Sequence, residues 1–379
     1  MKQAAIIFLG LLLSACATTP EHGGSENGAV VNGAACHVVY DAGSNETRLY
    51  IYQHTAAGWV QHSGPGRAAL ADPVRRNRGR TMADAGTVTN SIVAALDDIR
   101  RDGVLKKDGS RRWQAFDWQS QCRLDTVAVY ATAGMRLAAL NYPADAGLLW
   151  DMLNRKLSDA LGMAVTTRTL TGFEEGLFAW LATREEQGDG NFGIAEMGGA
   201  SAQISFPCTS CETSRQIKVQ GVDVPLVSIS FLGMGQDEVW KKHSRHAACK
   251  RGVGLKNPDW RVADCTDGIE IPANTGQAVR EFIDQADVRR WYLAGAFRYR
   301  EYSDIDNYCR DDIDSGFKPE SSCFRAVYQS YFLSSLGVPV SSELSGVDWT
   351  LGAAICTASS CLAKAGPPEC HWSARGCAD

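Results

Sequence analysis

At 379 residues the chain is longer than one hydrophobic core organises, so two units of ordinary domain size are expected. Its 45% apolar content can fill two cores, and a net charge of -5, with no long Lys/Arg block outside residues 75–80, excludes a nucleic-acid binder.

The N-terminus carries Lys2, an apolar run over residues 4–13 and then Leu13-Ser14-Ala15-Cys16. That run is too short to cross a bilayer and ends in small residues, so residues 1–15 read as an export signal. The Leu-Ser-Ala-Cys ending resembles the bacterial lipobox, which implies a lipid on Cys16 and attachment to a membrane through it. By the same resemblance, Ala17 in place of Asp implies the outer membrane, with the protein facing periplasm or exterior. Residues 16–35, rich in Thr, Gly, Asn and Ser, then read as a flexible tether. Thirteen cysteines are present; setting Cys16 aside leaves an even number, as disulfides in an oxidising compartment require. Cys208-x-x-Cys211 has no second Cys-x-x-Cys to complete a zinc site, so it reads as a disulfide hairpin. His243, His246 and Cys249 are spaced like ligands on a helix face, but read as a surface helix whose cysteine is oxidised.

Residues 36–40 form an apolar β-type run that stops at Asp41-Ala42-Gly43-Ser44 and resumes over residues 48–53. Residues 67–80 read as a solvated basic loop, or functionally as an electrostatic funnel for a polyanion. Residues 87–100 carry Val88, Ile92, Ala95, Leu96 and Ile99 at helical spacing. The buried-type strand 126–130 runs into small residues at 131–135, where α/β folds open toward ligands, and then Arg136. That arginine is equally suited to a phosphate or to a salt bridge with the adjoining helix. A helix over 148–161 and a short strand over 163–170 follow. In residues 171–180, Glu174 and Glu175 form an acidic helix start, favoured by the macrodipole. Consecutive helical residues do not share a face, so only one of the two can point into a site.

Residues 192–197 and 202–206 are apolar runs flanking the turn Gly198-Gly199-Ala200-Ser201. Backbone N–H groups of such a turn make an anion site, and Glu196 just before it can hold a hydrated cation beside the anion. Ser201 and Gln203 leave the turn. The same logic of carboxylate, small turn and hydroxyl already occurs at Asp41 to Ser44, which predicts two similar halves facing each other across a cleft. Beyond lie a strand over 224–231, a glycine turn over 232–237, a helix over 237–245 and a strand over 291–297. A helix over 323–336 carries Tyr328, Tyr331 and Phe332, residues 347–355 form a late apolar segment, and the tail after residue 357 reads as disulfide-tied.

Taken in order, DAGSNETRLYIY, YATAGMR, TGFEEGLFAW, AEMGGASAQISF and DWTLGAA resemble the five apyrase conserved regions of the nucleoside triphosphate diphosphohydrolases. SFLGMGQDEV and Pro65-Gly66 look like further family features. The resemblance covers about residues 36–355 and implies an α/β fold of two ribonuclease-H-like domains, similar to actin and the sugar kinases, with mixed sheets, flanking helices and the active site in the inter-domain cleft. It implies a first domain over 36–159 and 339–379 and a second over 160–338. It further implies hydrolysis of the terminal phosphates of nucleoside tri- and diphosphates with Mg or Ca. Residue by residue, it implies Glu175 as general base, with Ser201 and Gln203 holding the attacking water. Asp41 and Glu196 match the carboxylates that hold the metal through its waters. Asp41, Ala42, Gly43, Ser44, Asn45, Gly198, Gly199 and Ala200 match phosphate loops, with Thr132 and Arg136 alongside. Tyr299 and Tyr331 are candidates for stacking on the base. Two departures stand out: Glu196 where the family usually has Asp, and Ala202 where Thr is frequent. The alternatives are a polyphosphate phosphohydrolase of similar fold, or an exported nucleotide-binding or adhesion protein with weak or no turnover.

Overall fold

The computed structural model describes residues 33–77, 84–188, 190–243, 247–250, 257, 259–267, 269, 273–286, 288–299, 305–310, 321–362, 371–373 and 376–378. The signal, Cys16 and most of the tether lie outside the described residues, as do Arg78, Arg80, Arg245 and His246.

Two mixed sheets organise the chain. The first contains β1 (Ala34–Ala42), β2 (Glu46–Thr55), β3 (Gly58–Ala68), β4 (Cys122–Ala131) and β5 (Thr166–Thr169), in the order β3-β2-β1-β4-β5. Strands β1 to β3 pair antiparallel, whereas β4 and β5 continue parallel from β1. The second contains β6 (Phe192–Met197), β7 (Ser201–Pro207), β8 (Arg215–Val219), β9 (Val222–Leu232), β10 (Arg290–Gly295) and β11 (Glu343–Leu344), in the order β11-β10-β6-β7-β9-β8. Without its outer strand β8, the second sheet repeats the order and the strand directions of the first. The turn β6–β7 therefore occupies in one sheet the place that β1–β2 occupies in the other. Strands β1 and β6 are buried almost throughout because helices cover both faces of each sheet, which explains their unbroken apolar runs.

The helices are α1 (Asp72–Asn77), α2 (Ala85–Asp98), α3 (Trp118–Gln121), α4 (Ala133–Asn141), α5 (Pro143–Leu161), α6 (Gly172–Gln187), α7 (Gln236–His243), α8 (Val262–Thr266), α9 (Ala273–Ala286), α10 (Ile305–Arg310), α11 (Ser322–Ser335) and α12 (Trp349–Ser359). They divide the apolar interior into three cores. One, with Val38, Ile51, Ile92, Val129, Leu149 and Leu153, lies between the first sheet and α2 and α5. Another, with Ile204, Phe231, Trp291, Phe324 and Phe332, lies between the second sheet and α11. The third joins Val39, Tyr52 and Tyr130 of the first sheet to Ile194, Leu226 and Tyr292 of the second through Phe178 and Trp180 of α6 and Leu351 and Ala354 of α12. The fold is thus a stack of helix, sheet, helix, sheet and helix layers, with α6 and α12 in the middle.

Some expected boundaries move. Residues 67–80 are not one loop: β3 runs to Ala68 and α1 begins at Asp72. Pro65-Gly66 likewise lies within β3. Sheet membership crosses the expected domain limits, since β5 follows residue 159 yet pairs with β4 of the first sheet, and β11 follows residue 338 yet pairs with β10 of the second. In both cases a short parallel edge strand carries too little apolar pattern to declare its sheet. The strand expected over 291–297 ends at Gly295, and residues 296–299 close into a 3-10 turn.

Five disulfides occur among the described residues: Cys36–Cys122, Cys208–Cys211, Cys249–Cys265, Cys309–Cys323 and Cys356–Cys361. Cys208 and Cys211 are bonded to each other, and Cys249 is oxidised, as the sequence predicts. Such a density of disulfides belongs to oxidising compartments. Among the described residues no helix is long and apolar enough to cross a membrane.

Candidate active site

The two equivalent turns face one another across a cleft of about 790 Å³, a size that suits a small-molecule ligand. Its walls include Asp41, Gly43, Ser44, Asn45, Thr132, Glu175, Glu196, Gly198, Gly199, Ala200 and Ser201, with Arg298, Tyr299, Asp348 and Trp349 toward one side. Ala42 is buried at the end of β1. Gln203 is buried behind the second turn.

Helix α6 brings Glu175 to this point. Thr171 caps the helix: its hydroxyl accepts from the Glu174 N–H, and the Glu174 carboxylate returns to the Thr171 N–H at 2.9 Å. Glu174 is further held by both guanidinium nitrogens of Arg168, at 2.6 and 2.8 Å. Its carboxylate is therefore committed to the helix start, which leaves Glu175 to face the cleft. Helix α6 lies close on the second sheet because Gly172 and Gly176 present no side chain. A Cβ at those positions would stand 2.2 Å from Ser230 Cβ and 2.3 Å from Ser228 Oγ.

Strands β7 and β9 supply the rest. Ser201 and Gln203 are two apart on β7 and so share a face, and Gln203 is in register with Glu196 on one side and Ser230 on the other. Gln203 Nε2 donates to Glu175 Oε2 at 3.0 Å, Ser201 Oγ at 2.8 Å and Ser230 Oγ at 3.1 Å. Arg136, which follows the β4 strand end on α4, donates from Nη2 to Glu175 Oε2 at 2.5 Å and to Ser201 Oγ at 3.2 Å. Its salt bridge is thus made to α6 rather than to the helix it adjoins, with the guanidinium buried beside Ser201. Gln203 Oε1 is buried with no partner, leaving an acceptor in the same cluster. Burial drives the Glu175 carboxyl above its usual range, and the Arg136 charge works against that rise.

The carboxylates of the cleft are matched to arginines with one exception. Asp41 pairs with Arg48 at 3.1 Å, Glu175 with Arg136, and Asp348 with Arg298 at 2.8 Å. Glu196 has no ion pair among the described residues, and its Oε2 is buried without a hydrogen-bond partner. Burial, and then the charges of Glu175, Asp41 and Asp348, push its carboxyl well up. Burial also raises Asp41, to about 6. A buried, unmatched carboxylate among other carboxylates fits a cation with oxygen ligands. Among the described residues no three His, Cys, Asp or Glu side chains converge as a cage, so such an ion would keep most of its waters.

Tyr299 is 69% exposed and lines the cleft. Tyr331 is not there: it sits on α11, half-buried against the core of the second sheet, because its helix turns the side chain toward that core. His243 lies on α7, where its ring stacks on Phe324 at 6.1 Å. Sequence reasoning missed Ser230 and Arg75. Arg75 sits on α1 and donates to Ser44 O at 3.0 Å and Gly134 O at 3.2 Å, bracing the first turn from behind. It was hidden in a run of arginines, and its spacing from Ser44 carries no local signal. For Ser230, the alternation of Ser228 and Ser230 along β9 was the available signal.

Comparison with known proteins gives a consistent picture. A profile of the GDA1/CD39 (nucleoside phosphatase) family matches residues 118–334. The chain is 26% identical over 244 residues to the rat ectonucleoside triphosphate diphosphohydrolase 1, covering 58% of this chain and 45% of that protein. It is 26% identical over 332 residues to the human ectonucleoside triphosphate diphosphohydrolase 2, covering 77% and 59%. It is 35% identical over 251 residues to the probable apyrase 4 of Arabidopsis thaliana, covering 58% and 43%. The chain spans about half the length of the curated relatives it matches. Among solved structures it resembles the Aquifex aeolicus PPX-GPPA enzyme, with a TM-score of 0.53 at 13% identity over 85% of this chain and 99% of that one. An exopolyphosphatase from Cytophaga hutchinsonii gives a TM-score of 0.52 at 10% identity over 86% and 98%. Those likenesses establish the fold, an α/β architecture of two mixed sheets flanked by helices. With more than half of its residues matched by the profile, and the two equivalent turns of the cleft in place, the chain belongs to the GDA1/CD39 nucleoside phosphatase family.

Proposed function

We propose that this chain hydrolyses the terminal phosphates of nucleoside tri- and diphosphates in the cleft between its two sheets. The observation that carries the reading is the bonded cluster of Glu175, Arg136, Ser201 and Gln203 set beside two glycine turns. The turns at residues 42–45 and 198–201 would bind the phosphate oxygens through backbone N–H groups, with Thr132 at their side. Glu175 would take a proton from a water that Ser201 and Gln203 orient, as that water attacks the terminal phosphorus in line with the leaving oxygen. A carboxyl raised by burial is a better base near neutral pH than an ordinary glutamate. Arg136 opposes the rise that burial imposes on that carboxyl. A divalent ion, Mg or Ca, held through its waters by Asp41 and Glu196, would supply charge neutralisation on the phosphates. Tyr299 would stack on the nucleobase.

The disulfides and the lipobox-like start support an exported protein, attached to the outer membrane through a lipid on Cys16 and acting in the periplasm or outside the cell. A phosphate-release assay with ATP, ADP, UDP and inorganic polyphosphate, with and without chelator, tests the activity. Release from the nucleotides that chelator abolishes is expected. Release from polyphosphate alone, or none at all, would overturn the reading.

A further inference from the structure

Asp237 belongs to neither turn, yet it touches both. It lies on α7, whose first amides hold the second turn from behind: Gln236 N donates to Gly198 O at 3.1 Å, Asp237 N to Gly199 O at 2.9 Å and Glu238 N to Gly199 O at 3.1 Å. Its side chain then reaches past Gly199 to the first turn, where Asn45 Nδ2 donates to Asp237 Oδ2 at 2.7 Å. The other carboxylate oxygen accepts from Arg325, a fully buried arginine of α11. Gly199 sits between these parts with no room for a side chain. A Cβ there would stand 2.5 Å from Ser44 Oγ, 2.8 Å from Asp237 Oδ2 and 3.0 Å from Asn45 Nδ2.

We propose that Asp237, held by Arg325, is a positioning residue that latches the first turn to the second through Asn45 and so sets the gap into which the phosphates fit. Three physical facts support it. The bond to Asn45 spans 192 residues of chain and ties the first turn to the helix start that holds the second, so widening the cleft would lengthen it. A carboxylate beside an anion site would repel phosphate, and the buried Arg325 cancels that charge, so the acceptor can be kept where it is needed. The side chain of Asn45 is spent on Asp237, leaving the backbone of its turn for the ligand.

The inference rests on the reading of the two turns as phosphate loops, and its test separates the two. The Asn45→Ala variant removes only the donor, from an exposed position, and keeps the backbone. Spin labels placed on the outer helices α2 and α9 report the width of the cleft in the absence of any nucleotide. The expected result is a wider, broader distance distribution in Asn45→Ala than in the wild type, together with KM for ATP raised about tenfold and kcat changed far less, the signature of lost ground-state preorganisation. Asp237→Ala should raise KM similarly, and the double variant should be no worse than either single one. An unchanged distance distribution would overturn the latch whatever the enzyme's activity, as would a KM increase without widening, which would make Asn45 a direct ligand contact. Additive effects in the double variant would overturn it too. Widening in a protein that fails to hydrolyse nucleotides would uphold the latch and remove the catalytic reading instead.

Discussion

Arg136 Nη2 lies 2.5 Å from Glu175 Oε2, and both side chains are almost wholly buried. The pair joins the end of β4 to the helix that follows β5, and the guanidinium offsets part of the rise that burial imposes on the carboxyl. Replacing Glu175 by Gln retains size and most hydrogen bonding while removing the proposed base. Nucleotide hydrolysis is expected to fall by about 10²- to 10⁴-fold, with an unchanged circular dichroism spectrum and melting temperature close to wild type. Activity within tenfold of wild type in the folded variant would remove Glu175 from the base role.

The same pair fixes a pH dependence. The Glu175 carboxyl is raised by burial and lowered again by Arg136, and in the proposed role it must be ionised to take a proton. Arg136→Met deletes the opposing charge, so the acidic limb of the kcat/KM profile should move to higher pH, by about one unit or more. A limb at the wild-type position would show that another group controls it.

Glu196 gives a stability prediction of definite sign. Its folded carboxyl is raised, so in the absence of cation the folded state holds that proton more tightly than the unfolded chain, and stability is lost as pH rises through the raised value. Glu196→Gln should therefore melt about 2 °C or more above wild type at pH 8 in chelator, and the gap should close at pH 5. Adding Mg or Ca should raise the wild-type melting temperature and leave the variant unmoved. Differential scanning calorimetry at the two pH values reads all three arms.

The metal preference itself is a question of length. Glu196→Asp draws the carboxylate back by one methylene, and the expected outcome is a changed ratio of Mg- to Ca-supported turnover. Superimposable metal titrations for the two proteins would show that the extra methylene carries no consequence.

For the two tyrosines the structure separates what the sequence left together. Tyr299→Ala should raise KM for ATP about tenfold, the loss of one stacking contact, while leaving cleavage of inorganic tripolyphosphate unaffected. Tyr331→Ala should alter neither value, since its ring packs on the core of the second sheet.

How much of this was readable beforehand follows the range of the interactions. The turns at Asp41 and Gly198 and the helix start at Thr171 are local, and each is written in consecutive residues. The division of labour between Glu174 and Glu175 is local too: a capping box three residues long claims one and frees the other. The duplicated strand order follows from the duplicated turn. By contrast, Arg75 bracing Ser44, Ser230 meeting Gln203 and Arg325 meeting Asp237 depend on partners separated by 31, 27 and 88 residues. Nothing in the pattern around those residues marks them, and only the assembled sheets bring them together. Edge strand β11, two residues long, escaped for the opposite reason, being too short to show any periodicity, and β5 was legible as a strand but not by the sheet it joins.

In the middle layer, α12 crosses α6 so closely that a Cβ on Gly352 would lie 1.8 Å from Phe178 O. Two helices touching backbone to backbone leave no room for a side chain between them, and the same helices fill the core that joins the two sheets. Any residue larger than glycine at position 352 would have to push α12 off α6 and open that shared core. The late DWTLGAA segment thus contributes its backbone as well as Asp348, since its one missing side chain is what lets the two sheets share a middle layer.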